Sequence, residues 1–174
     1  MKTPTLIAAL AALAALATSC SGDDDDSCEF ERVVFAEAEP TPTTGTPQEQ
    51  IDRYVAANGL DTVVSPSGLV YAIADPGAGE LPVDGDSLLV YFRGTLVDGR
   101  VFDRTPGCDP NLLILPGSQI EGFREGTRLV APGGRITMLL PPELAYGSSG
   151  LPSRGIGPQT VLVFDVAFVQ YFEQ

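Results

Sequence analysis

The chain has 174 residues, 23 acidic against ten basic side chains, no histidine and a formal net charge of −13 at neutral pH. That length holds one domain of ordinary size plus tails, and with acids outnumbering bases there is no basic stripe for a phosphate backbone, so nucleic acid is excluded as a partner. The missing imidazole excludes histidine-based Ser or Cys triads and the usual zinc sites, and neither a metal nor a cofactor is expected.

Residues 1–19 read as a secretory signal, with Lys2 as the charged start and the run from Leu6 to Ala17 as the apolar stretch. About 20 apolar residues are needed to cross a bilayer. Here polar Thr18 and Ser19 and then the aspartates Asp23 to Asp26 follow a shorter run, so a cleaved signal is expected rather than a membrane helix. The string Leu16-Ala17-Thr18-Ser19-Cys20 resembles a bacterial lipobox, with Ala17 where a larger aliphatic is commoner. Cys20 is the expected lipidation point, and plain cleavage that leaves a free thiol is the alternative. The chain is then anchored to a bacterial membrane at the periplasmic or outer-membrane face. Residues Ser21 to Asp25 are similar to acidic tags that send some lipoproteins to the cell surface, an alternative destination. Losing Lys2, the only lysine, leaves nine arginines against 23 acids and a formal charge of −14. An exported location permits a disulfide between Cys28 and Cys108, with two separate thiols as the alternative.

Residues 20–46 carry the acidic run and then a Pro-, Thr-, Gly- and Glu-rich stretch with little to bury, which predicts a disordered tether. Consecutive aspartates lack the alternating spacing and glycine turn of a calcium loop, so the run reads as a solvated spacer. Residues 47–66 form a helix and connector. Thr46-Pro47-Gln48-Glu49 supplies a cap, a proline at the first helical position and an acid in the first turn, Ile51, Tyr54 and Val55 share a face, and Gly59 closes the helix. Packing on the following domain is the expected role of that face, with dimerisation as the alternative.

From residue 67 to 174 the signals are those of a sheet domain: Leu69–Ala74, Ser87–Arg93, Leu112–Leu115, Arg135–Leu140 and Thr160–Phe172 read as strands. Asp98-Gly99 marks a tight hairpin pairing Val90–Leu96 with Val101–Arg104. Ser118 and Glu121 form a capping box that starts a short helix through about Arg128. The fold class is α+β: a curved antiparallel sheet of about five to six strands wrapped around one short α-helix.

Five segments then carry a resemblance. They are Val90 to Leu96, Asp98 to Asp103, Ile120-Glu121-Gly122-Phe123, Pro142 to Gly147, and Leu162 to Val166. In order and spacing they resemble the FK506-binding type of peptidyl-prolyl isomerase, over roughly residues 67–172. The resemblance implies an isomerase acting on proline-containing polypeptides, a monomer assisting exported proteins to fold. It implies that Asp103, Tyr146, Phe102 and Phe164 are catalytic and that Phe92, Leu112, Ile120, Phe123, Ile156 and Leu151 bind substrate. By the same resemblance Phe123 would be the floor under the proline ring and the Ile120 N–H and the Tyr146 hydroxyl would hold substrate carbonyls, and Gly147 to Gln159 reads as a flap over the pocket.

The chemistry suits a chain without histidine. Rotation about the peptide bond is opposed by about 18–20 kcal/mol of amide resonance, which places charge on oxygen. An apolar site withholds the water that stabilises that charge and favours the twisted, less polar state, so no nucleophile is required. The chain departs from the family's usual pattern at several places: Phe123 stands for a tryptophan, Phe92 for a tyrosine whose hydroxyl commonly contacts the carboxylate, Leu112 for an aromatic and Leu151 for a frequent histidine. Loss of that tyrosine hydroxyl is expected to leave Asp103 less constrained. Taken singly, Phe92 and Phe164 read as ordinary core and Asp103 as a loop carboxylate tied to an arginine. Two other functions stay open on the residues alone, a non-catalytic proline-binding or chaperone module and a spacer domain on a lipoprotein.

Overall fold

The computed structural model describes residue 35 and residues 37–83, 85–106, 111–114 and 119–172, with side chains for all of these but 111–114. The signal, Cys20, Cys28 and Cys108 lie outside them. Helix α1 (Pro47–Asn58) follows its local chemistry closely. The Thr46 hydroxyl accepts from the Glu49 N–H (3.3 Å), the Glu49 carboxylate accepts from the Thr46 N–H (2.7 Å), and Gly59 ends the helix in the left-handed region. Ile51 and Tyr54 are buried against Val70, Val97, Leu139, Val161 and Val163 on one face of the sheet.

Seven antiparallel strands make that sheet: β1 (Val63–Val64), β2 (Val70–Asp75), β3 (Ser87–Leu96), β4 (Val101–Arg104), β5 (Asn111–Ile114), β6 (Arg135–Leu140) and β7 (Leu162–Phe172). Their order is β1-β2-β6-β7-β3-β4, with β5 pairing β3. The two-residue β1 is the strand that the periodicity did not reveal, and it starts the sheet before residue 67. The long β3 runs beside β7 throughout and carries β5 and β4 in succession on its other edge. The Asp98-Gly99 turn closes β3 on β4, with the Asp98 carboxylate accepting from the Arg100 N–H at 3.1 Å.

The second core lies on the opposite face, under helix α2 (Glu121–Gly126), and contains Leu88, Val90, Phe92, Phe123, Met138, Leu140, Phe164 and Val166. Ser118, the first residue of the expected capping box, lies outside the described residues. Ile120 is the N-cap, extended at φ −63° and ψ 152° with no side-chain cap, so Glu121 opens the helix instead of standing three residues inside it. The helix also stops at Gly126 and not near Arg128. The Thr127 hydroxyl donates to the Arg124 carbonyl (3.2 Å) as the chain turns away. A Cβ at Gly122 would lie 2.7 Å from Leu140 Cγ and one at Gly126 would lie 1.8 Å from Met138 Sδ, so both glycines are needed for α2 to press onto β6.

Residues 37–46, expected as the end of a tether, make contacts with the domain. Phe35 is buried, with the Arg93 guanidinium 5.5 Å from its ring centroid, and the Thr41 N–H donates to the Val97 carbonyl at 2.7 Å. Arg53 donates to the carbonyls of Pro42 (2.7 Å) and Thr44 (3.2 Å). Residues 37–46 are a strap on the domain, held by the Thr41 N–H on the Val97 carbonyl and by Arg53 on two strap carbonyls.

Gly126→Ala should overpack the α2–β6 contact, where the Met138 side chain is fully buried. The expected cost is about 1–3 kcal/mol, read as a lower urea midpoint at unchanged slope.

Candidate active site

Alternation along β3 and β7 decides what faces α2. Phe92 pairs in register with Val166 and Gly94 with Phe164, so Phe92, Gly94 and Phe164 share one face while Arg93 and Asp165 point to the other. On that other face Arg93 and Asp165 form an ion pair at 3.0 Å, and the Thr137 hydroxyl donates to Asp165 at 2.8 Å.

Between α2, β3, β4, β7 and the loop after β6 lies a cavity of about 380 Å³ lined by Phe92, Phe102, Asp103, Gln119, Ile120, Phe123, Tyr146, Leu151, Arg154 and Phe164. Its inner wall is aromatic. The Phe164 ring meets Phe123 edge-on at 5.0 Å between centroids and Phe102 at 5.4 Å, and Phe92 meets Phe123 at 5.8 Å. Edge-to-face contacts of this kind hold rings in fixed relative orientation. Phe92, Phe123 and Phe164 are buried, and Phe102 is half-buried at the mouth. Gly94 makes the arrangement fit, since a Cβ there would lie 2.7 Å from Phe102 and 3.0 Å from Phe164.

Polar groups occupy the rim. Tyr146 follows a short 3-10 turn, Pro142–Leu144, that is pinned by the buried Leu144. Among the described residues its hydroxyl makes no hydrogen bond. Burial raises the Tyr146 pKa above its ordinary value, with the Arg154 charge opposing and the Asp103 charge adding, so the hydroxyl stays a donor at neutral pH and somewhat beyond. The Ile120 N–H, at the start of α2, donates to no described carbonyl. Asp103 is held by Arg154, whose Nη1 lies 2.5 Å from Asp103 Oδ1, and the same oxygen accepts from the Arg104 N–H at 3.1 Å. Among the described residues no three His, Cys, Asp or Glu side chains gather as a metal site.

A family model described as FKBP-type peptidyl-prolyl cis-trans isomerase matches residues 79–169. The chain belongs to this family. FkpA of Escherichia coli strain K12 is 40% identical over 119 residues, 68% of this chain and 43% of FkpA. The outer membrane protein MIP of Legionella longbeachae is 36% identical over 122 residues, 68% of this chain and 51% of MIP. The crystal structure of Escherichia coli FkpA superposes with a TM-score of 0.64 at 37% identity, covering 73% of this chain and 58% of that one. The chain thus spans about half the length of the curated relatives it matches.

Of the residues that the FKBP resemblance assigned, Phe92, Phe102, Asp103, Ile120, Phe123, Tyr146, Leu151 and Phe164 come together around the one cavity. Ile156 does not line it. Its side chain is 1% exposed and belongs to the core beneath the flap, where it pairs through its backbone with Leu151. The side chain of Leu112 lies outside the described residues, and its backbone pairs with Leu89. Gln119 and Arg154 line the cavity without having been singled out. Asp103 is not the loosely held carboxylate expected from the Phe92 replacement, because Arg154 supplies the partner. Asp103 is thus tied to an arginine and lines the cavity at once.

Gly94→Ala should push the Phe102 and Phe164 rings apart, with a measurable loss of affinity for any pocket ligand and a shift of the Phe102 and Phe164 ring resonances in NMR spectra. Unmoved ring resonances would show that Gly94 plays no part in shaping the hollow.

Proposed function

We propose that this protein is a peptidyl-prolyl cis-trans isomerase acting on proline-containing polypeptides without a covalent intermediate. The carrying observation is the aromatic hollow formed by Phe92, Phe102, Phe123 and Phe164, with Tyr146, Asp103 and the Ile120 N–H around its edge. Family membership supports the reading. A planar imide in water has its carbonyl oxygen solvated in proportion to the charge that resonance places on it. The hollow replaces that water with ring carbons, which costs the planar state more than the twisted one. Phe123 then lies under the proline ring, with Phe102 and Phe164 as walls. The Tyr146 hydroxyl and the Ile120 N–H each donate to a substrate carbonyl and hold the chain on either side of the rotating bond. Asp103 contributes its charge close to the twisting imide.

The same proposal includes export and a lipid anchor at Cys20, with the acidic residues after it preceding the strap of residues 37–46. It is supported by the apolar run ending in Thr18-Ser19-Cys20 and by a relative whose name describes an outer membrane protein. The protein acts as a monomer on exported chains, whose uncatalysed prolyl steps last tens of seconds.

Purified protein should accelerate the cis/trans exchange of a proline tetrapeptide above the uncatalysed rate. Tyr146→Phe should lower kcat/KM about 5- to 10-fold through one lost hydrogen bond, and Phe123→Ala roughly tenfold or more through lost apolar contact. Peptide binding without acceleration would make the domain a proline-binding module. Neither binding nor acceleration would leave the hollow without a prolyl role.

Separately, Cys20→Ala should release the protein from the membrane fraction into the soluble one. Persistence on membranes would overturn the anchor.

A further inference from the structure

We infer that Arg154 is a positioning residue of this pocket: its ion pair with Asp103 latches the flap turn onto β4 and sets how tightly the mouth closes over a substrate. The inference rests on the isomerase reading and extends it to a residue that belongs to none of the matching motifs.

The turn that carries Arg154 is built to aim it. Leu151 and Ile156 exchange two backbone hydrogen bonds, Leu151 N–H to Ile156 carbonyl at 2.8 Å and Ile156 N–H to Leu151 carbonyl at 3.1 Å. Between them the 3-10 turn Pro152–Arg154 is closed by the Arg154 N–H on the Leu151 carbonyl at 3.0 Å, and Gly155 reverses the chain at φ 69°. Ile156 is 1% exposed and fastens the base of the turn to the core, while Leu151 faces the cavity. Arg154 therefore projects from a small closed turn and not from a loose loop.

Its target is also fixed. Asp103 follows Phe102 in β4, and the Arg104 N–H orients the same Oδ1 that Arg154 reaches. Of the ten side chains that line the cavity, Asp103 and Arg154 are the two charged ones, and they approach from opposite sides, strand and flap. Their pairing brings Leu151 and the strand wall together over the aromatic hollow. Water is kept out only while that closure holds, and the apolar environment is what weakens the imide double bond. With side chains 46% and 34% exposed, the pair is open to solvent ions, so its strength falls as salt screens it.

The test uses the purified full chain and an uncharged proline peptide, so that salt acts on the latch and not on substrate steering. Between about 20 mM and about 1 M NaCl, wild-type kcat/KM should fall about 2- to 5-fold. Arg154→Gln should start about 2- to 5-fold lower and stay flat with salt, and Arg154→Lys should recover part of the rate together with part of the salt slope. In parallel, amide hydrogen exchange at Arg154 and Ile156 should quicken in Arg154→Gln and in wild-type protein at high salt. A wild-type rate in Arg154→Gln, or a salt slope retained by it, would overturn the latch. So would exchange at the flap amides that ignores both the substitution and salt. If the wild-type protein gives no acceleration while the flap amides respond as described, the isomerase reading fails and the latch stands.

Discussion

The register of β3 against β7 is the constraint on which everything else depends. Gly94 faces Phe164 and Phe92 faces Val166 across that pair, and a slip by one residue would turn Arg93 and Asp165 into the apolar hollow. Several features oppose the slip at once. The Arg93–Asp165 pair lies on the far face beside Thr137, the Asp98-Gly99 turn fixes one end of β3, and Gly94 admits two rings where any Cβ would exclude one of them. The same alternation gives the sheet two cores, one beneath α1 and one beneath α2. The strap on the outer face and the pocket on the inner face are thus two consequences of one pairing.

How much of this could be read from the residues depended on how local the determining chemistry is. Thr46-Pro47-Gln48-Glu49 and Gly59 bounded α1 correctly because caps act within one turn of the chain. The Asp98-Gly99 hairpin was legible for the same reason. The end of α2 was less legible, because the close packing of Gly122 and Gly126 on β6 holds the short helix Glu121–Gly126 where the expected one ran to about Arg128. The strap escaped in part because two of its partners, Arg93 and Val97, are some 55 residues or more away in sequence. Ile156 looked like a flap tip because apolar residues in a glycine-rich loop have no period to say which way they point.

The site shows the same division. Eight of the residues assigned by resemblance meet around the cavity, seven of them inside the five matching segments, since a motif carries the family's three-dimensional arrangement with it. Arg154 could not be found that way. Its signal was weak but physical: a lone cation in the stretch from Gly147 to Gln159, in a chain with few bases, opposite a carboxylate that had lost its neighbouring hydroxyl through Phe92. Gly94 carried a comparable signal, a glycine inside a strand of otherwise bulky residues, which marks a close approach by something else.

Phe123 in place of a larger ring is where the pocket's energetics are best judged. As the proposed floor, a ring smaller than tryptophan would cover less of a proline, yet Phe164 and Phe92 meet it edge-on at 5.0 and 5.8 Å, so the three rings brace one another. A floor held by ring contacts needs no hydrogen bond at its far end, and loss of an indole N–H leaves no buried polar group unsatisfied. The proposed reaction asks the site to withhold water and to hold the chain on either side of one bond. Neither demand requires a group that titrates near neutrality, which is why a chain without a single histidine has the means to meet both.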